Sequence, residues 1–122
     1  MPRFDDVFEK KDTHRMYDVT YKDVVYPSLD EIICAVCKTN GVQLHELLST
    51  RREQRIVNAR YIYYMIATEC TRNSFVQIGR ALCKDHSTII TGAKQAKAKL
   101  GDTNWLQQLR KTTELLALPM VA

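Results

Sequence analysis

The sequence predicts an all-α protein: a compact helical domain preceded by a polar N-terminal tail. Three observations predict it. From Ser28 onward, apolar side chains recur at helical spacing in one stretch after another. Two serine-led capping boxes, Ser28 with Glu31 and Ser74 with Gln77, mark helix starts. Residues 78–90, Ile-Gly-Arg-Ala-Leu-Cys-Lys-Asp-His-Ser-Thr-Ile-Ile, read as two helices joined by a three-residue turn.

The elements follow in order. Residues 1–27 are polar, charged and without a sustained period, which predicts a tail or linker with local extended structure around 19–25. The aromatic side chains of this tail (Phe4, Phe8, Tyr17, Tyr21 and Tyr26) suggest that it docks on the domain or on a partner. Ser28 begins the folded part, and Ile32, Ile33, Val36 and Cys37 form the stripe of the first helix, which Asn40-Gly41 ends. A short helix over 43–48 carries Leu44, Leu47 and Leu48. After the polar junction Ser49-Thr50-Arg51-Arg52, a long helix runs over 53–71 with one buried face: Ile56, Ala59, Ile62 or Tyr63, Ile66 and Cys70. Arg55 and Arg60 are expected outside that face.

Phe75, Ile78 and Leu82 give the next short helix its apolar side, and Gly79 within it predicts close approach of another helix. Asp85 caps the following helix, whose buried stripe is Ile89, Ala93, Ala96 and Leu100. Its outer face shows Ser87, Thr91, Lys94 and Lys97. Gly101 closes it. Asp102 or Thr103 caps a last helix, with Trp105, Leu106, Leu109 and Leu116 toward the core and Pro119 as its stop. The predicted organisation is a tail over 1–27, a domain over 28–100, and a C-terminal helical segment over 101–122 that packs on the domain or on a partner.

Composition narrows the function. The chain has 122 residues, 45% hydrophobic and 26% charged, enough for one domain with a modest core. No apolar run approaches the roughly 20 residues that span a membrane, and the N-terminus has no signal region, so a cytoplasmic location is expected. The net charge of +4 is unevenly spread. Residues 1–37 hold five basic against eight acidic side chains, whereas 38–99 hold eleven against four. A basic middle fits a phosphate-binding surface, and equally a solvated face. Cys34, Cys37, Cys70 and Cys83 are expected as reduced thiols buried in the core. The Cys34-x-x-Cys37 pair lies in an apolar helical run without a second close pair, so no metal is expected. His14, His45 and His86 lie far apart and in no nucleophile or metal motif, which argues against an enzyme.

The segment with most chemistry is the helix opened by Asp85. Its first turn carries His86, Ser87 and Thr88, small polar groups beside free backbone N–H groups, which suit phosphates and base edges in a major groove. The bland alternatives are a packing αα-hairpin, and a satisfied buried histidine at His86. Arg51-Arg52, upstream of the long helix, supplies an arginine for a minor groove.

From Ser28 to about Leu100 the chain resembles the C-terminal DNA-binding domain of the bacterial replication initiator DnaA. Leu47-Leu48-Ser49-Thr50-Arg51-Arg52 resembles the family's L-L-S-K-R-R. Ala59-Arg60 and the helix through Ala67-Thr68-Glu69-Cys70-Thr71 resemble its A-R-x-x-A-x-x-L-A-x-E-L-T. Ile78-Gly79 with Lys84-Asp85-His86-Ser87-Thr88-Ile89 resembles I-G-x-x-F-G-x-R-D-H-S/T-T-V.

The resemblance implies a helix-turn-helix domain, Trp-repressor-like, that binds double-stranded DNA at DnaA boxes. It implies Arg52 in the minor groove, Asp85, His86 and Ser87 at bases, and Thr88 and Arg60 on phosphates; Arg51, Lys84, Thr91 and Lys94 join the expected DNA-binding set. The departures are a turn one residue shorter with Leu82-Cys83 in place of F-G, Lys84 for Arg, Thr91 for His, Tyr61 for a polar residue and Asn58 for a basic one.

No G-x-x-x-x-G-K-S/T loop occurs. The expectation is therefore a stand-alone DNA-binding protein of the kind encoded by phages or mobile elements, with no cofactor, no nucleotide and no ATPase activity. It would regulate transcription or modulate replication initiation, as a monomer or a homodimer. The alternative is a protein-interaction module that keeps the helical fold and has lost DNA binding.

Overall fold

The computed structural model describes residues 26–118. The expectations for 1–25 and for Pro119 lie outside the described residues. Six α-helices and one 3-10 turn make up the described fold, which has no strand: α1 Leu29–Asn40, α2 Leu44–Leu48, α3 Gln54–Cys70, α4 Phe75–Ala81, α5 His86–Ala98, the 3-10 turn Lys99–Gly101, and α6 Thr103–Leu115.

Both capping boxes form. The Ser28 hydroxyl accepts from Glu31 N–H while the Glu31 carboxylate accepts from Ser28 N–H, and Ser74 with Gln77 repeats the pattern on α4. Such caps are worth about 1 kcal/mol each. Gly41 ends α1 in the left-handed region at φ +65°. Asp102 caps α6, accepting from the N–H groups of Asn104 and Trp105.

Helix α3 is the centre, in contact with each of the other five helices. The spacing predicts one buried face, yet residues 62–68 are all buried, because neighbours surround the helix. Ile56, Ile62, Ile66, Ile78, Leu82 and Ile89 are fully enclosed with Ile32 and Val36 of α1 and Trp105 and Leu109 of α6. Enclosing each such side chain stabilises the fold by roughly 1.5–3 kcal/mol. Helix α6 belongs to this core: Trp105 Nε1 donates to Asn58 O at 3.1 Å, and the hydroxyls of Thr112 and Thr39 lie 2.6 Å apart.

Two sequence expectations are corrected, for the thiols and for Leu100. The thiols are not buried core groups: Cys34 and Cys83 are exposed, and Cys37 and Cys70 only partly covered. Leu100 leaves the buried stripe of α5, because the helix stops at Ala98 and the 3-10 turn carries it outward. Leu44 is exposed, since α2 is a single turn and only Leu47 points fully into the core.

The helix-turn-helix is made by α4 and α5. Helix α4 ends in a Schellman pattern: Lys84 N–H donates to Gly79 O at 2.8 Å and Cys83 N–H to Arg80 O at 3.1 Å. This pattern puts Cys83 in the left-handed region at φ 56°, a conformation that favours glycine. The packing also explains Gly79. A Cβ there would lie 2.5 Å from the Lys84 carbonyl oxygen and 3.2 Å from Ile89 Cγ1. Similarly, a Cβ on Gly92 would run into the Tyr64 ring, so α5 sits closely on α3.

The left-handed residue sets a prediction. A side chain in this region costs roughly 1–2 kcal/mol, against roughly 0.5–1 kcal/mol for glycine's extra freedom when unfolded. Cys83 is exposed and gives up no core packing. Cys83→Gly is therefore expected to raise stability by about 0.5–1 kcal/mol in urea unfolding; a loss would show that the turn does not need the left-handed backbone.

Candidate nucleic-acid interface

The connection between α2 and α3, residues 49–53, has no regular structure, and side chains fix its position. Arg60, expected outside α3, is instead 8% exposed and turned inward. Its Nε donates to Leu47 O at 3.1 Å, Nη1 to Arg51 O at 2.7 Å, and Nη2 to Glu46 O at 3.0 Å and Ser49 O at 2.5 Å. The last carbonyls of a helix lack intrahelical partners. One planar guanidinium reaches two of those of α2, Glu46 O and Leu47 O, and holds the loop as well. Burial holds the Arg60 pKa below its ordinary value. The side chain expected on phosphate is thus occupied inside the protein.

Glu46 is the second fixed point. Oε1 accepts from Gln43 N–H at 2.8 Å and from Arg55 Nη1 at 3.2 Å; Oε2 accepts from Arg55 Nη2 at 2.5 Å and Arg51 Nη1 at 3.3 Å. The hydrogen bonds from Arg55, then that from Gln43, bring its carboxyl down to about 2. Arg51 also pairs with Glu53. The guanidinium of Arg52, by contrast, is exposed and makes no hydrogen bond or ion pair with the described residues.

At the start of α5 the Asp85 carboxylate caps the helix, accepting from Ser87 N–H at 3.2 Å and from the Ser87 hydroxyl. Those two bonds hold the Asp85 carboxyl below the usual carboxylate range. His86 Nδ1 stands 3.5 Å from Asp85 Oδ1. Asp85, His86, Ser87, Thr88, Thr91 and Lys94 are all exposed. His86 is therefore no satisfied core histidine. Lys84 is half-buried, and its Nζ donates to Ser49 O at 3.0 Å.

A concavity of about 470 Å³ lies between the loop, α3 and α5. The loop contributes Thr50 and Arg52; α3 contributes Val57, Arg60, Tyr61 and Tyr64; the turn and α5 contribute Lys84, Ser87, Thr88, Thr91, Gly92 and Gln95. It brings together Arg52, Arg60, Lys84, Ser87, Thr88 and Thr91 of the residues expected from sequence. Arg51, Asp85, His86 and Lys94 lie outside its lining. Sequence reasoning missed Thr50, Val57, Tyr61, Tyr64 and Gln95 as lining groups. Their signal was present: Ser87, Thr91 and Gln95 share one face of α5 at i, i+4 and i+8, and Val57, Tyr61 and Tyr64 share one of α3. The Tyr61 hydroxyl donates to Gln95 Oε1 at 2.5 Å across the concavity, and Lys99 Nζ stands 5.8 Å from the Tyr61 ring centre.

Among the described residues no cluster of three metal-ligating side chains occurs, and no helix is long and apolar enough to cross a membrane.

Comparison with known proteins points the same way. The family model described as "Bacterial dnaA protein helix-turn-helix" matches residues 29–95. The chromosomal replication initiator protein DnaA of Streptococcus mutans serotype c is 35% identical over 94 residues, 76% of this chain and 21% of that protein. DnaA of Streptococcus uberis is 37% identical over 79 residues, 64% of this chain and 17% of the relative. DnaA of Streptococcus pyogenes serotype M1 is 37% identical over 70 residues, 57% and 16%. The chain spans between 16% and 21% of the length of these relatives.

Two predictions follow from the anchoring of the loop. Arg60→Ala removes the guanidinium donor shared by four carbonyls and is expected to cost about 3 kcal/mol in chemical unfolding; an unchanged midpoint would show that the clasp carries no stability. Glu46 has a folded value of about 2 against an ordinary 4.5, so its contribution is full above about pH 4.5 and is lost as pH falls toward 2. Unfolding midpoints measured across this range should fall less steeply in Glu46→Gln than in the parent; equal slopes would remove Glu46 as the source.

Proposed function

Because the chain belongs to the bacterial DnaA helix-turn-helix family, whose domain binds DNA, we propose that it binds double-stranded DNA sequence-specifically at DnaA-box-like sites. The first turn of α5 takes the major groove and Arg52 the adjacent minor groove.

The observation that carries this reading is the concavity between Arg52 and α5. A major and a minor groove are separated by one sugar-phosphate strand. A protein that puts one element in each must receive that strand between them, and the concavity is placed for it. Its hydroxyls on Thr50, Thr88 and Thr91 suit phosphate oxygens as donors. His86 and Ser87 stand at the exposed amino end of the helix, where base edges are read. The exposed Asp85 carboxylate suits a cytosine amino group as acceptor. Arg51 and Lys94 add positive charge at the flanks. Arg60 acts from behind this surface, holding the loop.

The activity proposed is binding alone, without nucleotide or ATPase chemistry, in a transcriptional regulator or a modulator of replication initiation. A cytoplasmic location goes with that role. Whether one copy or two bind is read from the stoichiometry of the complex.

Selection of bound duplexes from a random pool supplies the preferred site. Against that duplex, Arg52→Ala and His86→Ala should each lose about 1–3 kcal/mol of preference over a scrambled one. Equal losses on both duplexes would contradict direct readout. Failure of the parent protein to bind any duplex in a salt-dependent way would favour the protein-interaction alternative.

A further inference from the structure

We propose that Lys84 is a positioning residue: through the Ser49 carbonyl it shares with Arg60, it fixes the distance between the loop carrying Arg52 and the helix-turn-helix. This inference rests on the reading above that the two elements occupy neighbouring grooves.

Both ends of the brace are held. Lys84 N–H is bonded to Gly79 O, and the Lys84 carbonyl lies against Gly79, where no Cβ fits. The root of the side chain therefore moves only with the turn. At the other end, Ser49 O accepts from Lys84 Nζ at 3.0 Å and from Arg60 Nη2 at 2.5 Å. Arg60 Nη1 holds Arg51 O, one residue before Arg52. A single carbonyl thus joins the turn before α5 to the loop and, through Arg60, to α3. Burial, with Arg60 nearby, holds the Lys84 pKa below its ordinary value.

The consequence is selectivity. Two elements gain from each other only where both engage at once, and a shifted loop loses that gain without touching the charge facing the DNA. A lysine bound to phosphate behaves differently. It strengthens binding to every sequence and adds about 0.9 to the magnitude of the salt slope.

The test compares binding to the selected and the scrambled duplex across a salt titration. Lys84→Met is expected to lose about tenfold on the selected duplex, the scale of one hydrogen bond to a charged group. It should change scrambled binding less than about twofold and keep the salt slope. Lys84→Arg, whose guanidinium still donates to a carbonyl, should recover most of the loss. In an Arg52→Ala background Lys84→Met should cost almost nothing further, because the residue it positions is gone. Equal loss on both duplexes with a slope smaller by about 0.9, or full additivity with Arg52→Ala, would overturn the proposal.

If the parent protein selects no duplex, the DNA reading fails by itself and the brace is judged on the free protein. Amide exchange at Ser49 and Arg51, whose N–H groups donate to Glu46 O and the Ser49 hydroxyl, should then rise severalfold in Lys84→Met, and no change overturns it. Should Lys84→Met not fold, the parent still decides: the Lys84 ammonium protons exchange slowly if held at Ser49, and as fast as those of exposed Lys94 if not.

Discussion

The structure depends on one buried guanidinium. Arg60 is taken out of water and given four main-chain carbonyls in return, those of Glu46, Leu47, Ser49 and Arg51. Desolvating a cation is costly, and only a set of well-placed acceptors offsets it. A planar group with five donors in a fixed fork reaches them all at once; an ammonium on a flexible stem does not. The carbonyls belong to a one-turn helix and to an irregular loop, which could not hold their own place. The clasp makes them part of α3, and α3 touches every other helix.

The division of labour among the positive charges follows. Residues 38–99 look uniformly basic in sequence, but the fold assigns their charges to different tasks. Arg60 and Lys84 are bonded to carbonyls inside or at the edge of the fold. Arg51 and Arg55 are tied to Glu46, and Lys97 lies 3.6 Å from Glu69. Arg52 and Lys94 remain exposed. Charge counts therefore overstate the cations available to a phosphate backbone, and α5 presents hydroxyls as well as lysines to solvent.

Close approach at two glycines completes the arrangement. Gly79 lets the turn fold back over α4, and Gly92 lets α5 settle on the Tyr64 ring. With its inner face pinned there, α5 presents Ser87, Thr91 and Gln95 along the concavity and leaves its amino end exposed. The exposed end is stable because Asp85 satisfies its own helix.

The sequence by itself determined the local features. Capping serines, the terminating Gly41 and the Asp85 cap are properties of a few neighbouring residues, and all appear where the residues place them. The polar first turn of α5 was equally legible. What the tertiary structure decided was every matter set by distant neighbours. Whether Arg60 faces out or in depends on carbonyls up to fourteen positions away, and periodicity carries no trace of them. The enclosure of residues 62–68 depends on which helices surround α3. Tyr61 meets Gln95 across 34 positions, and Lys84 meets Ser49 across 35. Helical spacing encodes which side chains share a face; only packing settles what that face meets.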